Sequence, residues 1–138
     1  MTDLLLDANF LIALAYSKDR YHQRAVDYIS QTRLHIAVPS VVLPEAVFNL
    51  RRVGGALASQ QLGKIMTERH IPLVPLMIDD FKRAMQVMET YQTADLDFVD
   101  SCLTAIAERL QITKIATFDR RDFSIIRPRH IDYFELFP

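Results

Sequence analysis

The amino-acid sequence predicts an α/β fold, a three-layer sandwich in which a short, mainly parallel central sheet of 4–5 strands is flanked by helices. Short apolar segments of strand length alternate with longer segments of helical periodicity, and parallel strands joined by crossover helices give this pattern. The chain has 138 residues, half of them apolar or aromatic, without a linker-like run of Gly, Ser or Pro. We therefore expect one domain that covers residues 1–138.

Apolar periodicity defines the elements of the first half. The three leucines Leu4–Leu6 suit a buried strand, and the apolar run after them is helical through about Tyr16. Ser40 is a candidate N-cap for a long helix that Gly54 and Gly55 break. In order, we expect a strand at 4–6, helices to 16 and over 21–31, a strand at 35–38 and a helix from 40 to about 53.

The second half gives three helices and two or three strands by the same criteria. The prolines in "IPLVPL" favour an edge position for the third strand. A fifth strand is expected near Ile125-Ile126 or Tyr133-Phe134. In order, we expect a helix at 56–69, a strand from 71, helices at 79–91 and 98–110, and a strand at 114–117.

The composition indicates where in the cell the protein is located more clearly than what it binds. The net charge is −1, and Cys102 is the single cysteine. A lone cysteine leaves no intrachain disulfide, which favours a reducing cytoplasm. The apolar run Phe10–Tyr16 is too short to span a bilayer and lacks a signal-peptide pattern, so no membrane association is expected. A net charge near zero does not exclude nucleic-acid binding, because a divalent cation held by acidic residues changes the sign of the local charge.

Four acidic residues are positioned to meet at one edge of the predicted sheet. Asp7 follows the first strand, Asp119 follows the fourth, and Glu45 lies early in the helix after the second. Asp100 begins the helix that leads into the fourth strand. Because the binding crevice of an open parallel sheet lies at the carboxyl ends of its strands, these carboxylates are expected to converge there.

Each acid also has a purely structural interpretation. Asp7 could cap the first helix, and Asp100 could be a first-turn acid behind an Asp97 N-cap. Asp119 could begin a turn, and Glu45 could be an exposed surface residue. These interpretations together require four coincidences at one edge of one sheet, which favours a shared site.

Convergent carboxylates repel one another and retain protons unless a cation neutralises them. Oxygen ligands suit Mg²⁺ or Mn²⁺ rather than zinc, and the four histidines show no zinc-type pairing. The three glycines form no phosphate-binding loop. A carboxylate site of this kind, without a nucleophile motif, fits metal-assisted phosphodiester hydrolysis.

Four sequence blocks carry a family resemblance: "LLLDANFLIAL", "VPSVVLPEAVFNL", "DFVDSCLTAIAERL" and "KIATFDRRDF". In order and separation they resemble the PIN-domain ribonucleases, most closely the VapC-type toxins of prokaryotic toxin–antitoxin pairs. The resemblance covers essentially the whole chain. It implies a PIN-like sandwich and a Mg²⁺- or Mn²⁺-dependent endoribonuclease, usually a homodimer. In the toxin branch, a small antitoxin inhibits the enzyme by placing its tail in the acidic groove.

The resemblance also implies roles for individual residues. The metal-binding and catalytic acids are Asp7, Glu45, Asp100 and Asp119. Asn9 and Thr117, the latter in a Thr-x-Asp pattern, become polar groups that orient ligands or water. Asp97 is interpreted as a helix cap, with a supporting metal role as the alternative. Asp122 either closes a turn or contributes to the site, and Pro44 departs from the pattern in a way that could rotate Glu45.

Exposed arginines near the groove are candidates for RNA phosphate contacts, with a simple solvated face as the alternative. These RNA-binding candidates are Arg20, Arg51, Arg52, Arg120 and Arg121. Phe118 could stack on an unpaired base or belong to the core.

Other functions remain open at this stage. A haloacid-dehalogenase-like phosphatase needs a second aspartate where Asn9 stands, and the order of blocks does not fit a receiver domain. A catalytically silent PIN-like RNA-binding or protein-interaction module and a non-toxin PIN nuclease are the main alternatives to the toxin.

Overall fold

A computed structural model describes all 138 residues, which form a five-stranded sheet flanked by six α-helices. The strands are β1 (Leu4–Leu6), β2 (Ile36–Pro39), β3 (Leu73–Val74), β4 (Lys114–Ala116) and β5 (Glu135–Phe137). The helices are α1 (Ala8–Ala15), α2 (His22–Gln31), α3 (Leu43–Glu68), α4 (Ile78–Thr90), α5 (Phe98–Leu110) and α6 (Arg121–Ile125). The predicted α/β class is confirmed.

The sheet has the order β3-β2-β1-β4-β5, and all four strand pairs are parallel. In β1, all three leucines are 0 % exposed. Successive strand residues point to opposite faces, so β1 is covered on both faces and is the central strand. The chain extends from β1 to β2 and β3 on one side and returns to β4 and β5 on the other. The topological switch therefore lies between β1 and β4, where open α/β folds bind ligands.

The helices form two packed groups beside the sheet. Helix α1 packs against α2 and α3, and α4 packs against α5. Fully buried side chains join these groups to the strands, among them Phe10, Leu50, Leu103 and Ile106. None of the helices combines the length and the hydropathy that a membrane crossing requires.

Two details differ from the sequence-based expectations. Ser40 does not cap α3 but begins a 3₁₀ turn over Ser40–Val42, and α3 starts at Leu43. Of the two positions expected for the fifth strand, Ile125-Ile126 is wrong because Ile125 ends α6, whereas the position near Tyr133-Phe134 directly precedes β5 (Glu135–Phe137). The break expected at Gly54-Gly55 is confirmed, because Gly55 has non-helical dihedral angles and divides α3 at a kink.

The kink in α3 depends on one glycine. Gly55 has φ 71° and ψ −166°, a backbone conformation that essentially only glycine adopts. Gly54 beside it packs closely on α1, because an added Cβ would lie 3.0 Å from the Tyr16 ring and 2.7 Å from the Ala58 Cβ. The two glycines thus bend α3 and bring it against α1.

Replacing Gly55 with alanine should lower the unfolding free energy by about 1–3 kcal/mol, because the new Cβ strains the positive-φ backbone. Gly63→Ala in the same helix is the matched control. No neighbouring atom lies within 4 Å of an added Cβ there, and the change should stabilise α3 by about 0.5–1 kcal/mol. Denaturant unfolding measures both. Equal effects at the two positions would contradict the assigned strain.

Candidate metal and active site

An acidic cleft of about 520 Å³ opens at the carboxyl ends of β1 and β4. Seven carboxylates line this acidic cleft: Asp7, Glu45, Asp95, Asp97, Asp100, Asp119 and Asp122. Arg121 is the one basic residue in its lining, and Asn9 contributes a polar amide. The four acids predicted to converge therefore share one cleft, together with three further acids.

Asp7 lines the cleft and also caps the N-terminus of α1. Its backbone N–H donates to the Ala116 carbonyl at 3.0 Å, which extends the β1–β4 pairing to the cleft. Oδ1 accepts from the Ala8 N–H at 2.7 Å. Oδ2 accepts from the Thr117 hydroxyl at 2.9 Å and from the Asn9 amide at 3.2 Å. The side chain is buried, and the interpretation of Asp7 as the cap of α1 is confirmed.

Asn9 and Thr117 connect the start of α1 to the loop after β4. The Asn9 amide donates to the Thr117 hydroxyl oxygen at 3.0 Å, and its carbonyl oxygen accepts from the Phe118 N–H at 2.8 Å. The Asp119 N–H donates to the Thr117 hydroxyl oxygen at 3.1 Å. These bonds fix the loop that presents Asp119, which is exposed, at the mouth of the cleft.

Asp97 and Asp122 build the start of α5. Asp97 is the N-cap, as predicted, and its Oδ1 accepts from the N–H groups of Val99 and Asp100 at 2.8 and 3.3 Å. Asp122 in turn accepts from the Asp97 N–H at 2.8 Å and from the Arg121 guanidinium at 2.6 Å. This chain of hydrogen bonds places Asp100, in the first turn of α5, inside the cleft.

Burial and the charges of neighbouring acids make three of the cleft acids hard to ionise. Burial raises the pKa of Asp7 to about 6, and hydrogen bonds from Ala8 and Thr117 oppose the rise. Burial raises the pKa of Asp100 to about 9, with further contributions from the Asp7 charge and a hydrogen bond with Asp122. Glu45, the third residue of α3, is exposed at the cleft rim, and its pKa is raised by partial burial and the Asp97 charge.

The predicted RNA-binding arginines lie in different places. Arg121 lines the acidic cleft, and Arg20 lines a neighbouring cavity. Arg51 and Arg52 line a separate groove on α3, and Arg120 donates to the Pro138 carbonyl at 2.6 Å. The five residues thus do not form one surface.

Asp95 was missed by the sequence analysis. It lies in the acidic cleft and has φ 52°, a left-handed conformation that an aspartate in a turn tolerates. The spacing of acids in "DLDFVD" was the available signal, but a cap for α5 explained it without a further site residue. Asp122 was considered only as an open alternative, and its hydrogen bond to the Asp97 N–H crosses 25 positions in sequence.

The donor set of the cleft fits a hard divalent cation. No three His, Cys, Asp or Glu side chains are grouped as a ready coordination shell. Several carboxylate oxygens are instead bound to amides or to Arg121. Mg²⁺ usually keeps several waters and binds directly to one or two protein carboxylates, so it does not need a dense shell. Because the donors are oxygens and two buried acids resist ionisation, Mg²⁺ or Mn²⁺ suits the cleft by its chemistry.

Comparisons with known proteins show which family has this architecture. The sequence profile of the PIN domain matches residues 4–127, which is most of the chain. The chain belongs to the PIN domain family. A comparison with curated proteins finds no match for this PIN domain.

Solved structures share the PIN fold at low sequence identity. The toxin VapC20 of Mycobacterium tuberculosis, described as cleaving the sarcin-ricin loop, is 20 % identical with a TM-score of 0.82, covering 94 % of this chain and 98 % of that one. A chain of VapBC2 from Rickettsia felis, bound to promoter DNA, is 11 % identical with a TM-score of 0.73, covering 99 % and 100 %. A chain of a toxin–antitoxin complex from Klebsiella pneumoniae is 17 % identical with a TM-score of 0.66, covering 96 % and 100 %.

In the absence of metal, Asp100→Asn should raise the melting temperature at pH 8 by about 5 °C or more, and much less at pH 4.5. The folded state holds the Asp100 proton up to a pKa of about 9, against an ordinary value of 3.8. It therefore binds more protons than the unfolded state in this window, and stability falls as pH rises through it. Thermal unfolding in EDTA measures the effect.

Glu68→Gln is the control, because it neutralises an exposed carboxylate on α3 outside the acidic cleft. This variant should follow the wild-type pH profile. A stabilisation by Asp100→Asn that does not change with pH would contradict the assigned electrostatic cause.

Proposed function

We propose that this PIN domain protein is a Mg²⁺- or Mn²⁺-dependent endoribonuclease and the toxin of a toxin–antitoxin pair. One observation carries the proposal: the four acids predicted from the sequence line one cleft at the topological switch of the sheet. The fold likeness to VapC20, which is itself described as a toxin that cleaves the sarcin-ricin loop, supports the choice of substrate.

Asp7, Asp100, Asp119 and Glu45 would hold the ion through carboxylate oxygens that face the cleft. When bound, a divalent cation supplies an activated water and stabilises negative charge on the phosphoryl oxygens. The acids must lose their protons to bind it, and a cation favours that loss.

The protein itself holds the charged side chains of the site in position. Asp7 is fixed by three hydrogen-bond donors, so its carboxylate cannot rotate freely. Asn9 and Thr117 hold Asp119 at a set distance from it through the loop after β4. Such preorganisation lowers the cost of assembling the site around a phosphodiester. Arg121 provides positive charge at the cleft, and Asp122 holds its guanidinium in place.

The arrangement supports a nuclease over a catalytically silent module. A silent binding module gains nothing from two buried aspartates whose pKa values are raised, since they destabilise the folded state. An active site tolerates this cost because the same charges bind the cation.

Two exposed apolar surfaces support a partner protein and a homodimer. The α3 groove contains Leu43, Pro44, Val47 and Phe48, flanked by Arg51 and Arg52. Phe48 is 68 % exposed there. A second face on α4 exposes Met77, Ile78, Phe81 and Met85. Exposed apolar patches of this kind mark protein–protein contacts, and we propose an antitoxin and a second copy of this chain as their occupants.

Purified protein should cleave RNA with Mn²⁺ or Mg²⁺ and lose cleavage with EDTA. Asp7→Asn and Asp119→Asn should each reduce the rate at least about 100-fold, because a direct ligand should matter no less than an outer-shell partner. Denaturing gel electrophoresis of labelled RNA measures the rate. Glu68→Gln, which removes an exposed carboxylate outside the cleft, should keep the wild-type rate.

Expression in cells extends the same experiment to the toxin assignment. The wild type should arrest growth, and Asp7→Asn should not. Co-expression of the short reading frame next to the gene should relieve the arrest and yield a complex with the toxin. Cleavage that persists in EDTA or in Asp7→Asn would contradict the mechanism. Cleavage without arrest would leave a non-toxin PIN nuclease.

A further inference from the structure

A second cavity of about 280 Å³ adjoins the acidic cleft. Asn9 and Asp119 line both spaces, so the two are direct neighbours. The far wall of the second cavity is formed by Arg20, Tyr21 and Phe118. Its volume lies at the lower limit of ligand pockets, about 300 Å³, which suits a single planar group more than a large ligand.

Aromatic rings form a stack that leads from the core to this cavity. The rings of Phe10 and Phe118 lie 5.7 Å apart at 10° between their planes, and those of Phe118 and Tyr21 lie 4.4 Å apart at 3°. Phe10 is completely buried, whereas Phe118 and Tyr21 are partly exposed. The core therefore holds the two outer rings parallel, and the cavity wall is a rigid aromatic platform.

Two arginines accompany the platform. The Arg20 guanidinium lies 4.7 Å from the Tyr21 ring centroid, and Arg24 lies 5.6 Å from Tyr21 and 5.4 Å from Phe118. Both are exposed, and neither takes part in an ion pair. The nearby Asp19 carboxylate accepts from the Tyr21 N–H at 2.8 Å and closes the turn before α2. Arg20 and Arg24 therefore keep their charge available to an anion.

A nucleotide offers the two groups that this surface is able to bind. Its base stacks on aromatic rings and on guanidinium planes, and its phosphate pairs with arginine. Because Asn9 and Asp119 line both the acidic cleft and the second cavity, a nucleotide next to one bound in the cleft is within reach of the platform. An unpaired strand meets this geometry, since a base within a duplex cannot leave its stack without cost.

We propose that the Arg20–Tyr21–Arg24–Phe118 platform binds one unpaired nucleotide of the RNA next to the scissile phosphate. The base stacks on the platform, and the flanking phosphate contacts Arg20 and Arg24. This inference rests on the proposed ribonuclease function and assigns a subsite to it.

The test measures RNA binding separately from chemistry. Binding of a fluorescein-labelled single-stranded 12-nucleotide RNA is followed by anisotropy in EDTA, for the wild type and for Arg20→Ala, Arg24→Ala, Tyr21→Ala and Tyr21→Phe. Tyr21→Ala should weaken binding by about 5- to 100-fold, and Tyr21→Phe should restore it, because stacking needs the ring and not the hydroxyl. Each arginine variant should also reduce the slope of log affinity against log salt by about 0.7.

Arg127→Ala is the matched control, since the Arg127 guanidinium also lies over an aromatic ring, 5.1 Å from the Tyr133 centroid, but lines neither cavity. It should leave RNA affinity unchanged. Hydrolysis of bis(p-nitrophenyl) phosphate with Mn²⁺ gives the second readout, because this small diester does not need the platform. The platform variants should cleave it at the wild-type rate while cleaving RNA more slowly.

Several results would overturn the subsite. They are wild-type affinity in Tyr21→Ala, an Arg127→Ala effect as large as that of Arg20→Ala, or no RNA binding by the wild type in EDTA. Equal loss of RNA and small-diester cleavage would also overturn it, because that pattern marks a damaged active site. Failure of the ribonuclease function itself is distinguishable, since neither substrate would then be cleaved by the wild type.

Discussion

The parallel pairing of β1 with β4 is the constraint on which the site depends. It carries Asp7 and the loop after β4 to the same edge of the sheet, although 110 positions separate Asp7 from Thr117 in sequence. The Asp7 N–H continues the ladder to Ala116, and the Thr117 hydroxyl closes onto the Asp7 carboxylate. A register shift of β1 by one residue would turn the Asp7 side chain to the face opposite that of Thr117. Such a shift would break the hydrogen bonds that join Asp7 to Ala116 and Thr117.

This placement creates an electrostatic problem within the fold. Asp7 and Asp100 are 4 % and 8 % exposed, burial raises the pKa of both, and the Asp7 charge raises the pKa of Asp100 further. Two other carboxylates of the cleft, those of Asp97 and Asp122, are stabilised by backbone N–H donors at the start of α5. The same carboxylates therefore serve as helix caps and as walls of the cleft. These hydrogen bonds do not remove the repulsion between the cleft carboxylates, and a divalent cation would do so.

The sequence predicted the parts of this molecule that depend on local pattern. Alternating apolar segments predicted the sheet and most helices. The acids after the first and fourth strands and at the starts of two helices predicted the convergence of Asp7, Asp119, Glu45 and Asp100. Features set by long-range contacts were not predictable. The final strand is stabilised by pairing with β4, in the Lys114–Glu135 register, rather than by its own periodicity.

Asp95, which was not predicted, and Asp122, whose role was undecided, also depend on features beyond the local sequence pattern. Asp95 depends on a left-handed turn, and the position of Asp122 depends on a hydrogen bond to α5. The stacking of Tyr21 on Phe118 joins residues 97 positions apart in sequence and leaves no local signal. Local pattern thus locates a site, while its finer composition comes from packing.

The most direct measurement of the central claim is a crystal structure of the wild type with Mn²⁺, with the ion located by its anomalous scattering. The account predicts a peak in the acidic cleft, with at least one carboxylate oxygen of Asp7, Asp100 or Asp119 at about 2.0–2.2 Å. The peak should be absent from crystals of Asp7→Asn. An ordered ion elsewhere on the molecule and none in the cleft at saturating Mn²⁺ would contradict the account.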